Sequence, residues 1–144
     1  MRQDFSIAWA PGEPDALGTA EWRYQEIVRP PAALWMAGSG HVAQAVAPLA
    51  ATLDFEVTVF DDRPSLANSR FFPAPTRFRV GAWEDILATP LLDQPTFGLV
   101  VTRGHQRDAL VLAEWIRRPF AFLGMIGSRR KARLIFQQFT DDAI

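Results

Sequence analysis

Residues 33–43 read Ala33-Leu34-Trp35-Met36-Ala37-Gly38-Ser39-Gly40-His41-Val42-Ala43, an apolar run that halts at two glycines and resumes as a helical pattern. The stretch 33–37 has no polar face, as expected of a strand covered on both sides. Beyond the glycines, Val42, Ala45, Val46, Leu49 and Leu53 recur at helical spacing, so 41–53 is expected to be a helix buried along that stripe. Pro48 lies inside it and is expected to remove one hydrogen bond and bend the axis. Strand, Gly-x-Gly-x-x-Ala turn and helix in this order make a phosphate-binding corner. Gly38 permits the tight turn, Gly40 lets the backbone approach a pyrophosphate, and Ala43 lets helix and strand pack closely. A plain strand-to-helix turn selects the same small residues, and this pattern alone does not separate the two readings.

Working outward, strand and helix signals keep alternating. Residues 56–60 form a second strand that ends on Asp61-Asp62. Arg77, Phe78, Arg79 and Val80 alternate polar with apolar, the pattern of a half-exposed edge strand. A continuous apolar strand follows at 97–101, then a helix over about 106–117 with Leu110, Leu112, Trp115 and Ile116. Residues 120–125 read as another buried strand, and Ser128 opens a last helix that runs to about 139. Strands separated by helices imply right-handed crossovers and a parallel sheet. Placing the most polar strand, the third, at an edge gives the order 3-2-1-4-5, an α/β, Rossmann-like domain. Ahead of it, Phe5, Ile7 and Trp9 alternate, turn residues follow between 11 and 18, and Trp22, Tyr24 and Val28 alternate again. This is a β-hairpin-like arm, 1–31, closed by Arg29-Pro30-Pro31 and followed by the main domain, 32–144.

Composition narrows the function classes. With 144 residues, 49% of them hydrophobic and 22% charged, the chain can build a core and does not read as disordered. A net charge of -1 provides no basic excess of the kind that marks nucleic-acid binders. The absence of cysteine excludes disulfides, thiolate metal sites and a cysteine nucleophile, and two histidines alone argue against a protein-only metal site. No apolar stretch approaches the ~18 residues of a membrane span, and the N-terminus lacks a signal-peptide core. The expectation is a cytoplasmic protein with neither nucleic acid nor membrane as partner.

In such a sheet, ligands bind beyond the carboxyl ends of the strands, and there the polar residues gather. The first loop carries Gly38, Ser39, Gly40 and His41. The second carries Asp61, 21 residues after Gly40 and so placed to accept hydrogen bonds from a ribose, with Asp62 beside it. The fourth carries Arg103, Gly104 and His105, the histidine being either an acid–base group or a helix cap. The fifth carries Gly127, Ser128, Arg129, Arg130 and Lys131. Cations at a helix N-terminus are disfavoured by ~0.3–1 kcal/mol each. Either an anionic ligand offsets that cost, or the cluster is a solvated basic face.

Four ordered motifs, GSGHVAQAVAPLA (38–50), EVTVFDDRP (56–64), LVVTRGHQRDALVL (99–112) and FLGMIGSRRK (122–131), together resemble the C-terminal Rossmann domain of the xanthine dehydrogenase accessory (XdhC/CoxI) family. The resemblance covers roughly residues 30–138. It implies a non-enzymatic chaperone that binds molybdenum cofactor (molybdopterin), protects it during sulfuration and inserts it into a molybdenum hydroxylase such as xanthine dehydrogenase. It implies a pterin-nucleotide or NAD(P)-like ligand at Gly38, Ser39, Gly40 and His41, beside Asp61 and Asp62. Arg103, Gly104 and His105 match the family's TRGH stretch, and Gly127 to Lys131 match its MIGSRRK stretch. Family members commonly carry an N-terminal domain with a Gly-Gly-Cys motif and continue past the last helix, whereas this chain has no cysteine and stops at Ile144. The expectation is therefore a Rossmann half that is either truncated or served by a separate Cys-containing partner domain, and that forms a homo-oligomer such as a dimer. Two other readings stay open. One is an NAD(P)-dependent oxidoreductase, for which a core of ~110 residues leaves little chain for a substrate domain. The other is a non-catalytic NAD-binding or regulatory module whose aromatic arm (Phe5, Trp9, Trp22, Tyr24) forms an interface.

Overall fold

The structure, a computed structural model, describes residues 5–9, 24–28, 30–90 and 94–141. Contacts divide the chain into two compact units, Met1–Pro30 and Pro31–Ile144. In the first, strands β1 (Phe5–Trp9) and β2 (Tyr24–Val28) pair antiparallel, with Phe5 opposite Val28 and Trp9 opposite Tyr24. That is the hairpin pairing expected of the arm. The turn expected between 11 and 18, and Trp22, lie outside the described residues.

The second unit is built on five parallel strands, β3 (Ala33–Ala37), β4 (Glu56–Asp61), β5 (Arg77–Val80), β6 (Thr96–Val100) and β7 (Phe122–Met125). Their spatial order is β5-β4-β3-β6-β7, which counted from β3 is the 3-2-1-4-5 order of a Rossmann sheet. Helix α1 (His41–Thr52) connects β3 to β4. Helices α2 (Trp83–Leu87) and α3 (His105–Trp115) precede and follow β6, and α4 (Arg129–Asp141) follows β7.

Strand alternation divides the core between the two faces of the sheet. Ala33, Trp35 and Ala37 pack with Phe60, Val100, Trp83 and Leu87, and with Val111 and Trp115 of α3. Met36 packs on the other side with Val57, Val59 and α1. Four rings anchor the first face: the Trp35 centroid lies 4.9 Å from Phe60, and that of Trp115 lies 5.2 Å from Phe120. Tilted and edge-on pairs of this kind each add ~0.5–1.5 kcal/mol beyond burial.

Three expectations are corrected. In α1 the helical period holds but the buried face is turned. Ala43, Ala47 and Ala50 face the sheet, while Leu49 and Leu53 are 65% and 71% exposed. The strands supply the bulk on that side, and only short side chains let the helix axis come so close. The helix runs on through Pro48. In α3 the buried residues are Asp108, Ala109, Val111 and Trp115, and both Leu110 and Ile116 point to solvent. Strand β7 holds the edge place that the order gives it but is not a buried strand: Phe122 is 58% exposed and the rest of the strand is only half-buried. The sequence reading also passed over α2, whose signal is Trp83, Ile86 and Leu87 at helical spacing behind Glu84 and Asp85 in the first turn.

The inverted face of α1 makes a direct test. Ala47→Leu is expected to lower stability by ~1–3 kcal/mol through overpacking, whereas Leu49→Ala stays within about 0.5 kcal/mol of the parent. Urea midpoints check the order; the stripe read from the sequence demands the reverse.

Candidate functional site

The turn between β3 and α1 is shaped by contact with a second turn. Gly38 has φ +112, and a Cβ there would stand 2.5 Å from the Val101 carbonyl oxygen and 3.0 Å from Thr102 Cα. Glycine is therefore required twice over, for its dihedral and for the close approach. The Gly38 N–H donates to the Phe60 carbonyl at 2.8 Å, and the Val101 N–H donates to the Ala37 carbonyl at 2.8 Å, so three strand ends are tied together. Gly40 is the N-cap of α1, and no side chain satisfies the free N–H groups there. A Cβ on Gly40 would meet nothing within 4 Å, so this side of the turn faces open space.

Beneath the turn lies Asp61, 1% exposed. Its Oδ2 accepts from the Ser39 N–H and the Ser39 hydroxyl, each at 2.7 Å, and from Arg63 Nη2 at 2.9 Å. Its Oδ1 accepts from the Arg63 backbone N–H at 2.9 Å and from Arg63 Nε at 2.8 Å. Burial pushes the carboxyl pKa up, but the hydrogen bonds from Arg63 and Ser39 outweigh it, and the value is lowered to about 2. The Asp61 hydrogen bond in turn raises the pKa of Arg63. The spacing that placed Asp61 at a ribose thus leads to a carboxylate fully engaged by its own chain. Asp62, partly exposed, pairs with Arg107 at 2.9 Å and stands 3.7 Å from Arg63 Nε.

A second buried acid organises the loop after β6. Asp108, fully buried in the first turn of α3, accepts from the Thr102 N–H at 3.1 Å and from the Thr102 hydroxyl at 2.6 Å on Oδ1. Its Oδ2 pairs with the Lys131 ammonium of α4. Gly127 leaves room for that inward turn, since a Cβ there would stand 2.8 Å from Lys131 Cδ. Ser128 caps α4 as expected, its hydroxyl accepting from the Lys131 N–H at 3.2 Å. The basic run therefore splits. Lys131 points inward, while Arg129 and Arg130 are exposed, with no ion pair among the described residues.

A cleft of about 380 Å³ opens beyond the strand ends, lined by Gly40, His41, Val42, Arg63, Leu66, Val101, Thr102 and Arg103. It sits where the order of strands reverses, between β4 and β6 on either side of β3. A second hollow of about 320 Å³ lies beside it, lined by Arg103, Gly104, His105, Gln106 and Arg107. Of the residues expected from sequence, Gly40, His41 and Arg103 reach the cleft, and Gly104 and His105 reach the hollow. Ser39, Asp61 and Asp62 lie outside the lining of both. Residues 127–131 line neither, and connect to the cleft through Lys131, Asp108 and Thr102. Sequence reasoning sees Arg63 at the second strand end without giving it a role, and misses Asp108. Arg63 follows two acids, which is itself a pairing signal, and Asp108 stands three and seven residues before the buried Val111 and Trp115. The cleft brings an uncapped helix N-terminus together with two arginines, groups of the kind that suit an anion. Among the described residues no group of three or more His, Cys, Asp or Glu is placed to hold a metal ion.

Two predictions follow from these clamps. Gly38→Ala is expected to cost more than the ~1–3 kcal/mol of backbone strain alone, because the methyl meets the Val101 carbonyl. Gly104→Ala, at φ +97 with open space around it, costs only the strain; thermal denaturation of the two variants checks the difference. Asp61 has its folded pKa below its unfolded value, so its contribution is fully present above about pH 4 and is lost as pH falls toward 2. Asp61→Asn is expected to lower stability at neutral pH and to flatten the acid limb of the stability profile, measured by urea unfolding between pH 2 and 6.

Comparisons with known proteins agree with this fold. The XdhC Rossmann domain family matches residues 34–144. The uncharacterized protein YqeB of Escherichia coli (strain K12) is 32% identical over 112 residues, which is 77% of this chain and 20% of that protein. A crystal structure from Bacillus halodurans, described as a xanthine dehydrogenase, superposes with a TM-score of 0.70 at 27% identity, over 79% of this chain and 35% of that one. The chain thus spans a fifth to about a third of the length of these relatives. With the family's domain matched from β3 to the last residue, on the sheet order and glycine turn described above, the chain belongs to the XdhC Rossmann domain family.

Proposed function

We propose that the chain is an accessory factor for a molybdenum hydroxylase of the xanthine dehydrogenase kind, and that its cleft holds the phosphate of a nucleotide or pterin. The observation that carries this reading is the cleft at the switch point of the sheet, where Arg63 and Arg103 flank the uncapped N-terminus of α1. Membership of the XdhC family and the xanthine dehydrogenase description of a structural relative supply the process. Molybdenum cofactor enters as cargo. Its pterin bears a phosphate, for which backbone N–H groups and two guanidiniums are suitable partners. In this reading Gly38, Ser39, Asp61 and Asp62 shape the site, Gly40, His41 and Arg103 meet the ligand, and Gly104 and His105 extend it. Gly127, Ser128, Arg129, Arg130 and Lys131 brace it from the next loop. Because the chain has no cysteine, thiol chemistry on the cargo is assigned to a separate Cys-containing partner domain, and NAD(P) is an alternative occupant of the same cleft. The setting we propose is a cytoplasmic homo-oligomer that meets the hydroxylase subunit directly.

Calorimetric titration with molybdopterin, NAD and AMP tests the reading. At least one is expected to bind below about millimolar, and Arg103→Ala is expected to weaken it about tenfold without changing the melting temperature. If none binds in that range and the substitution changes nothing, the reading fails.

A further inference from the structure

We infer that the cleft selects its ligand through a phosphomonoester and does not read a ribose diol. This deepens the phosphate-binding reading above and rests on it. In folds of this type, an acid at the end of the second strand of the βαβ unit accepts the ribose hydroxyls of an adenosine. Asp61 occupies that position at the end of β4, but its two oxygens already accept five hydrogen bonds from Ser39 and Arg63. A carboxylate has about four lone-pair directions. A diol could be accepted only by displacing the buried Ser39 or the Arg63 guanidinium.

What the cleft meets at that strand end is Arg63 itself. Two of its guanidinium N–H groups go to Asp61, and because the fork is planar the remaining edge is left for the cleft that Arg63 lines. Across from it Arg103 is exposed, without a carboxylate partner among the described residues. Asp61 balances Arg63 and Asp62 balances Arg107, so Arg103 and the α1 N-terminus leave the cleft positive. That arrangement favours a dianionic terminal phosphate over the singly charged phosphodiesters of a dinucleotide. The 5′-phosphate of a mononucleotide, the terminal phosphate of a phosphorylated pterin and the 2′-phosphate of NADP share this chemistry.

The test is calorimetry on the full chain at low ionic strength with AMP, 2′-deoxy-AMP, NADP and NAD. AMP and 2′-deoxy-AMP are expected to bind within about twofold of each other, and at least tenfold more tightly than NAD. Inorganic phosphate is expected to compete with AMP. NADP equal to or weaker than AMP assigns the site to a terminal 5′-phosphate, and NADP clearly tighter assigns it to the 2′-phosphate; both uphold the inference. Arg103→Ala, outside the buried clamp, is expected to reduce AMP affinity about tenfold. Arg63→Ala is expected to reduce it as well and to narrow the gap to NAD, because Asp61 is released. NAD binding as tightly as AMP, or a tenfold loss on removing the 2′-hydroxyl, overturns the inference and leaves the nucleotide-binding reading intact. If Asp62→Asn abolishes such NAD binding, the diol is read at Asp62, which equally overturns it. No binding by any of the four overturns the inference, and no binding by molybdopterin either removes the underlying reading as well.

Discussion

One buried carboxylate, Asp61, ties the glycine-turn half of this fold together. It joins the turn after β3 to the end of β4 through Ser39, and it holds Arg63 by backbone and side chain alike. A charge with 1% exposure is tolerable only when its lone pairs are taken. The cluster is therefore all-or-none: the loop must adopt this shape, or the carboxylate is left stranded. Asp108 repeats the device on the other side of the crevice, with Thr102 and Lys131 as partners. The cleft lies between two loops that are each fastened to an interior acid.

The second constraint is distance. Gly38 brings one loop against the backbone of residues 101 and 102, and the alanine face of α1 brings the helix down onto β3 and β4. Larger residues at either place would push the α1 N-terminus away from Arg103. Close packing thus decides how tightly the cations and the free N–H groups converge, and the electrostatics of the cleft depends on it.

Much of this architecture is legible in the sequence, for identifiable reasons. The sheet order follows from the polarity of 77–80, which can belong only to an edge, and the cap at Ser128 follows from a serine ahead of a helical pattern. Phase is what resists reading. In α1 both the alanine stripe and the Val-Leu stripe are apolar at helical spacing, and hydrophobicity favours the wrong one because it ignores the volume already supplied by the sheet. The exposed Phe122 of β7 misleads similarly, since an apolar run does not reveal how much of an edge strand its neighbours cover. At the site, positions are legible and partners are not. The 21-residue spacing finds Asp61, but only the fold shows Arg63 and Ser39 filling its lone pairs. The basic run 129–131 reads as one cluster until Lys131 turns inward to Asp108.

The four motifs accordingly divide by physical role rather than by sequence. Ser39, Asp61, Thr102, Asp108 and Lys131 are framework: they hold loops to the interior, and only Thr102 also reaches the wall of the cleft. His41, Arg63 and Arg103 line the cleft itself. Matching the motifs identifies the family because the framework dictates the loop shapes. Arg63 links the two groups, since it fills lone pairs of the buried Asp61 and also lines the cleft. Its guanidinium neutralises the acid at the end of β4, and the same side chain borders the open space beyond the strand ends. One side chain thereby takes up the acceptor positions that the carboxylate at this strand end would otherwise offer.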